Sequence, residues 1–358
     1  MYESWAENED DAEGAVVRIG ETASRKAAVV LALLVGGVLL LFGARLAIGD
    51  YSVGAADALA ALWRHLTEGP DGSMLDNVVW KQRLPRAFTA VIAGTGLAAA
   101  GAAMQSLMKN PLADPYTAGI SSGALFGATL SMTLGIGLAE GYFGRVANAF
   151  VFAMVPALVI AVISRWRKPS PAMMILAGIA IMYIFNAFQS YMMLKADPNS
   201  ASSVYTWSVG SIGMTTWSTI PVMAGTTIAG CAMLMLMSRA LNAMNAGDDY
   251  ARSLGIPIDG VRILCLGLVS FVAAGIVSFT GVIGFVGLVS PHIARMLIGP
   301  DNRLLIPASA LMGALMMLLC DIVGFLIMGS TLQIGVVTAM IGGPLFMAIL
   351  LTRRGEVW

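Results

Sequence analysis

The chain alternates between long apolar runs and short polar breaks over almost its whole length. Each run has about 16 residues or more, enough to cross most or all of a membrane as an α-helix. The ten runs are Ala27–Ile48, Pro85–Met108, Tyr116–Leu138, Val146–Ile163, Ala172–Leu194, Trp217–Met237, Val261–Phe279, Val282–Leu297, Leu304–Met328 and Ile334–Leu351. The connection Gly49–Arg83 also contains a short amphipathic pattern at Ala55–Leu66. The pattern predicts an all-α polytopic membrane protein with about ten transmembrane helices.

One polar island, Arg239–Gly260, separates the sixth and seventh runs and contains a short helix of its own. Asp248 and Asp249 are suited to cap the start of this helix, and Gly255 followed by Pro257 is suited to end it. Three of its residues share one face at helical spacing, namely Tyr250, Ala251 and Leu254. The spacing alone fits both a solvated loop and a docking helix for a soluble partner.

Composition supports a membrane protein and excludes several other classes. Of 358 residues, 58% are hydrophobic and 12% are charged, and the mean hydropathy is +0.80, more apolar surface than a soluble domain of this size can bury. The net charge of +0 gives no indication of a nucleic-acid partner. Three cysteines lie in apolar runs without metal-ligand spacing and are expected to be buried hydrophobes: Cys231, Cys265 and Cys320. The chain contains no Gly-Lys pair and therefore no GxxxxGK[ST] phosphate loop, so any ATP that drives the protein binds another chain.

The basic residues predict how the chain is oriented in the membrane. With the N-terminus inside, 14 of the 21 Lys and Arg residues fall on the inner side and 7 on the outer side, as the positive-inside rule requires. Both termini and the Arg239–Gly260 loop are then cytoplasmic, in a plasma or inner membrane. Residues 1–26 form an acidic tail, expected to be flexible, 27–354 the membrane domain, and 355–358 a short C-terminal tail.

A series of short motifs in a fixed order resembles the FecCD-type permeases. These motifs are Arg83-Leu-Pro-Arg86, Gln105, Asn110-Pro-Leu-Ala113, Trp207, Gly210-Ser211, Gly247-Asp-Asp-Tyr-Ala-Arg-Ser-Leu-Gly255, Gly281–Arg295 (GVIGFVGLVSPHIAR), Asp321, Gly335-Val-Val-Thr338, Gly342 and Pro344. The resemblance covers about Val79–Arg354. Proteins of this type are the membrane subunits of importers for iron-siderophores, haem or cobalamin, and a separate subunit hydrolyses the ATP.

The resemblance implies a homodimer with the transport path on its two-fold axis, a pair of ATPase subunits that hold ATP and Mg²⁺, and an extracellular binding protein. It implies no cofactor and no metal in this chain. By the same resemblance, the helix in the polar island is a coupling helix that lies in a cleft on the ATPase. Its residues are Gly247, Asp248, Asp249, Tyr250, Ala251, Arg252, Leu254 and Gly255.

The fifth run carries a polar and methionine-rich stripe at helical spacing, formed by Met182, Asn186, Gln189, Ser190 and Met193. Polar side chains at membrane depth line a cavity or form interhelical hydrogen bonds, and the resemblance favours a transport path. It also makes Asn110 and Leu112 candidates for a cytoplasmic gate, although Pro111 between them alone explains a helix end there. Ser170 and Pro171, before the fifth run, form a second candidate gate.

At the predicted outer face, Arg83 and Arg86 flank Leu84-Pro85 and are expected to present two guanidinium groups to one surface. Snorkelling to the interface, which is common for arginines at helix ends, would also explain them, whereas the resemblance implies ion pairs with the binding protein. Asp321 lies deep in an apolar run and must pair or stay neutral. FecCD-type permeases usually carry an Arg three residues after this Asp, and this chain has Gly324.

Two other classes of function are weighed against the transport subunit. An ion-coupled secondary transporter is favoured by inverted repeats and by intramembrane carboxylates in matching halves, and the sequence shows neither. A membrane hydrolase would need more than Ser290, His292 and Asp321, because no G-x-S-x-G elbow surrounds the serine.

Overall fold

The structure is a computed structural model that describes residues 3–49, 51, 53–329 and 333–352. Within these ranges the chain is helical with irregular connections, and no strand is present. The α-helices are α1 (Glu3–Ala47), α2 (Ala55–Glu68), α3 (Met74–Val78), α4 (Leu84–Met108), α5 (Ile120–Leu134), α6 (Gly141–Ile163), α7 (Pro171–Lys195), α8 (Pro198–Ser208), α9 (Ile220–Leu236), α10 (Ser238–Ala246), α11 (Asp248–Ser253), α12 (Ile258–Thr280), α13 (Val286–Ile298), α14 (Asn302–Met328) and α15 (Ile334–Thr352). A π-helical segment, Val79–Arg83, joins α3 to α4, and a 3₁₀ turn, Pro115–Ala118, precedes α5.

The predicted all-α membrane architecture is confirmed. Six helices in the described ranges are long and apolar enough to cross a membrane, and a seventh candidate consists of α9 and α10, bent by 48° at their junction. Three shorter apolar helices, α5, α13 and α15, account for the other predicted runs.

The structure differs from the sequence prediction in the N-terminal tail and in the third apolar run. Helix α1 begins at Glu3, so the acidic tail up to residue 26 is helical where a flexible extension is expected. The tail lacks proline, and its acidic residues favour a helix N-terminus. The third run is divided between the 3₁₀ turn and α5, because Gly119 adopts φ +86° between them. The C-terminal tail, residues 355–358, lies outside the described residues.

Helix α4 is the centre of the bundle and packs against α9, α12, α13 and α14. Nearly all of its residues are buried, and many of them are alanine or glycine. A Cβ atom on Gly94 would lie 2.2 Å from the carbonyl oxygen of Gly313 in α14, so these two backbones touch. Small residues permit such close helix approach in membranes. With 25 residues, α4 extends about 37 Å from one end of the bundle to the other.

The two ends of α4 define the two faces of the molecule. The π-helical segment that leads into α4 lies beside α2 and the end of α1, and we call this end the α2 face. The last residues of α4 lie beside α10 and α11, and we call this end the α11 face.

Candidate coupling and gating site

Helix α11 lies where the sequence predicts it, between two glycines with positive φ. Gly247 (φ +135°) occupies the N-cap position without a side-chain hydrogen bond, and Asp248 and Asp249 form the first turn. The prediction that these acids cap the helix is therefore wrong, although carboxylates in the first turn still interact favourably with the helix dipole. The helix ends as predicted at Gly255 (φ +78°), where the Gly255 amide donates to the Arg252 carbonyl and the Ile256 amide to the Ala251 carbonyl. This pair of bonds is a Schellman motif.

The two sides of α11 have opposite environments. Ala251 is completely buried against the bundle, whereas Tyr250 and Leu254 are 54% and 57% exposed. Arg252 is also exposed and pairs with Asp249 on the same helix, at 3.3 Å. The helix therefore presents an apolar pair outward, next to exposed charges, while its inner side is fixed.

Asp248 connects α11 to two other helices. One carboxylate oxygen accepts a hydrogen bond from Lys109 Nζ at 2.8 Å, and the other accepts one from the Arg262 guanidinium at 2.7 Å. A second nitrogen of Arg262 donates to the Pro169 carbonyl at 2.9 Å. Partial burial alone would raise the pKa of Asp248, but the hydrogen bonds from Lys109 and Arg262 outweigh it and hold that pKa below its usual value.

An asparagine cluster anchors α10, the helix before α11. The Asn242 side-chain oxygen accepts from the backbone and side-chain amides of Asn302, and its amide donates to Asp301 at 2.6 Å. The Ser106 hydroxyl in α4 donates to the Asn302 side-chain oxygen at 2.8 Å. A hydrogen bond from Arg303, reinforced by the one from Asn242, lowers the pKa of Asp301 to about 2.

The sequence does not reveal this cluster, because α10 lies in a stretch that is polar enough to be mistaken for a loop. Its one signal is the spacing of Leu241 and Met244, both fully buried.

The two candidate gates lie directly beside Lys109, which contacts Asp248, and Pro169, which is held by Arg262. Asn110 follows Lys109, and its side-chain oxygen accepts from the Leu112 amide at 2.9 Å, which closes a tight turn after α4. Leu112 is 41% exposed at the tip of this turn. Ser170 follows Pro169 and caps α7 by accepting from the Met173 amide, with Pro171 at the first helical position.

The stripe on α7 lies on a partly exposed flank of the helix. Asn186 and Ser190 are exposed, and Met182, Gln189 and Met193 are half-buried. The neighbouring side of the helix packs inward, through residues that include Met174, Ile181 and Phe185. The structure thus brings the five predicted path residues to one accessible side of α7.

At the α2 face, Arg83 has a different environment from the one predicted. It is 4% exposed, and its guanidinium donates to the carbonyls of Leu46, Ala47 and Tyr51 at 2.6–3.0 Å. The expectation that it presents its guanidinium to the surface is wrong. The reason is tertiary: the last carbonyls of α1 lack helical partners, and a cation at a helix C-terminus satisfies them.

Arg86 and Arg45 share Asp321. Arg86 donates two hydrogen bonds to one carboxylate oxygen, at 2.7 and 2.9 Å, and Arg45 donates to the other. Asp321 is therefore paired, as its depth in an apolar run requires. A cavity of about 290 Å³ opens beside this cluster, and four cationic residues are among those that line it: Arg45, Lys81, Arg83 and Arg86.

Close packing explains the glycine where FecCD-type permeases usually carry an arginine. A Cβ atom on Gly324 would lie 2.7 Å from Val337 Cγ2, so α14 and α15 meet at this position.

The residues considered for hydrolysis do not form a triad. Asp321 is bound to two arginines, and the Ser290 hydroxyl donates to the Met316 sulfur at 3.5 Å. Among the described residues, no group of three or more His, Cys, Asp or Glu side chains is placed to hold a metal.

Comparisons with known proteins agree with this architecture. The model of the FecCD transport family matches residues 33–352. The hemin transport system permease protein HmuU of Yersinia pestis is 34% identical over 324 residues, which is 89% of this chain and 96% of the relative. The cobalamin import system permease protein BtuC of Halobacterium salinarum is 33% identical and is aligned over 77% of this chain and 74% of its own length.

A solved structure, assigned to the metal-chelate type of ABC transporter and captured in an inward-facing conformation, superposes with a TM-score of 0.80 and 28% identity. The match covers 90% of this chain and 99% of that chain. The resemblance carried by the ordered motifs is confirmed, and the chain belongs to the FecCD transport family.

Proposed function

We propose that this chain is the permease subunit of an ATP-driven importer for a metal chelate of the iron-siderophore, haem or cobalamin class. Two copies form a homodimer. A pair of ATPase subunits, which bind ATP and Mg²⁺, docks on the α11 face, and a binding protein delivers the chelate to the α2 face. The α11 face and both termini are cytoplasmic, in agreement with the distribution of basic residues.

The observation that carries this proposal is the geometry of α11. Its inner side is fixed through Ala251, and its outer side presents Tyr250 and Leu254 at the end of the bundle. An exposed apolar pair on a rigid short helix is a suitable anchor for a cleft on a soluble partner.

The stripe on α7 supports a path between two copies, because its polar and methionine side chains are exposed or half-buried in the single subunit. The turns at Asn110–Leu112 and at Ser170–Pro171 lie at the α11 end of the bundle, where an inner gate is required. At the other end, the basic cavity fits an acidic group of a binding protein. Lys81 is the better contact there, since Arg83 is committed to backbone carbonyls and Arg86 to Asp321.

Relatives named for haem and for cobalamin are almost equally similar to this chain, at 34% and 33% identity. Overall similarity therefore supports the chelate class and does not select one member of it.

The proposed coupling is tested by placing a charge on the outer side of α11. We expect Tyr250→Asp and Leu254→Asp to fold and insert normally but to lose chelate-stimulated ATP hydrolysis in the reconstituted transporter. An unpaired carboxylate in an apolar cleft costs about 3 kcal/mol, which corresponds to a loss of roughly 100-fold in association with the ATPase.

Tyr250→Phe is the matched control, because it keeps the ring and removes the hydroxyl. Normal association and normal transport in both aspartate variants would show that α11 is not the contact.

A further inference from the structure

Asp248 sits at the junction of the three segments that the proposed function requires to move together. Its carboxylate contacts Lys109, at the end of α4, and Arg262, in α12. Arg262 in turn holds the Pro169 carbonyl, just before α7. The network therefore joins the first turn of α11 to the turn that contains Asn110 and to the segment that contains Ser170.

The Arg262 arm of this network is buried and depends on few acceptors. The Arg262 side chain is 4% exposed, and its Nε atom has no acceptor among the described residues. Its charge is therefore stabilised mainly by Asp248 and by the Pro169 carbonyl. A buried guanidinium that loses its carboxylate must rearrange or draw in water, and the segment it holds must respond.

The Lys109 arm is more exposed and carries a backbone feature that points to a role for the side chain. Lys109 adopts φ +48° at the end of α4, a left-handed conformation in which glycine is the usual residue. The backbone there needs no side chain, since the amides of Lys109 and Asn110 make the Schellman bonds to Ser106 and Gln105. The amine of Lys109 reaches Asp248, which accounts for a lysine at a position that favours glycine.

We propose that Asp248 is a two-armed linker that fixes the positions of both gate segments relative to α11, with Lys109 and Arg262 as positioning residues. The role in transport rests on the proposed function, namely that α11 is the contact with the ATPase. Displacement of α11 then pulls on the Asn110 turn through Lys109 and on the Ser170 segment through Arg262. One carboxylate thus transmits one movement to two places.

The linker itself is tested in the permease alone, by amide hydrogen exchange of the protein in lipid nanodiscs. Asp248→Asn is expected to raise exchange about five- to tenfold in both segments, residues 109–113 and 164–174. Lys109→Gly relieves the left-handed backbone and removes the amine, so it should raise exchange in 109–113 and leave 164–174 unchanged. Arg303→Gln is the matched control, since Arg303 is an exposed cation of the same face that pairs with Asp301 in its own segment.

Unchanged exchange of both segments in Asp248→Asn would overturn the proposal. A uniform rise over the whole chain would also overturn it, because it would show a general structural role. Asp248→Glu, which keeps the charge, should retain most of the wild-type protection from amide exchange in both segments.

The same variants in the reconstituted transporter separate the linker from the proposed function. Compared at equal amounts of bound ATPase, Asp248→Asn should lose most of the chelate-stimulated hydrolysis, at least tenfold. If wild-type permease itself does not associate with an ATPase, the proposed function fails, while the exchange result still decides the linker.

Discussion

The buried ion cluster at the α2 face allows a quantitative prediction, because one carboxylate serves two guanidinium groups. Asp321 is 1% exposed, and the side chains of Arg45 and Arg86 are 4% and 17% exposed. Asp321→Asn keeps the shape of the side chain and removes its charge. We expect this substitution to be the most damaging of any at the cluster.

The magnitude follows from what each substitution leaves behind. Asp321→Asn leaves Arg45 buried without an acid, with the Ile48 carbonyl and the Phe325 ring as its remaining partners. Removing one member of a buried ion pair costs about 3–5 kcal/mol. Arg86→Gln leaves the Arg45–Asp321 pair intact and loses two hydrogen bonds to a carboxylate, a cost of about 1.5–3 kcal/mol.

The measurement is the free energy of unfolding of the purified permease in mixed micelles, by denaturant titration. Arg303→Gln is the reference for an exposed pair, with an expected change of about 0–1 kcal/mol. The double variant Arg86→Gln with Asp321→Asn should cost less than the sum of the two single variants, because Arg86 is no longer present to be left without its acid. The reasoning is refuted if Asp321→Asn destabilises no more than Arg303→Gln does, or if the single costs simply add.

Three further predictions concern the same face. Gly324→Ala should destabilise the permease by about 1–3 kcal/mol in the same titration, because the added Cβ meets the stiff side chain of Val337. An unchanged free energy would mean that α14 and α15 separate easily. Lys81→Glu should weaken association with a binding protein about tenfold at low salt and much less at high salt, while Arg83→Gln should leave association unchanged and lower stability. Association kinetics at two ionic strengths measure the effect of Lys81→Glu. A loss of association in Arg83→Gln without a loss of stability would contradict the prediction for Arg83.

The apolar spans and the site of α11 can be predicted from sequence because their signals are local. The fifth span runs from Pro171 to Lys195 in the structure, within a residue of the predicted limits. It begins where Ser170 caps a helix that starts with proline, and polar residues follow its end. Gly247 and Gly255 likewise bound α11, since each adopts a backbone conformation that other residues avoid.

The partners of the charged residues cannot be predicted in this way, because they are set by tertiary packing. Arg83 and its carbonyl partners are separated by 32 to 37 residues, and Arg86 and Asp321 by 235. The sequence shows an arginine near a helix start and cannot distinguish a surface cation from a buried one. From the sequence, Lys109 and Arg262 are therefore recognised only as two of the 14 basic residues on the predicted inner side.

The charged networks at the two ends of α4 differ in a way that suits two different tasks. At the α2 face, Asp321 is inaccessible and its two arginines are largely buried, so exchange of partners would expose unpaired charge at high cost. At the α11 face, Asp248 and Lys109 are about one-third exposed, so water can replace either member of this pair at low cost, although Arg262 is buried. A network with one pair that opens at low cost is suited to follow the movement of a docked subunit, whereas a fully buried cluster holds its helices in place. The same central helix thus has a fixed end at the proposed outer face and an adjustable end at the proposed inner face. This asymmetry suits the proposed function, in which the outer face receives a binding protein and the inner face responds to ATP hydrolysis by the ATPase.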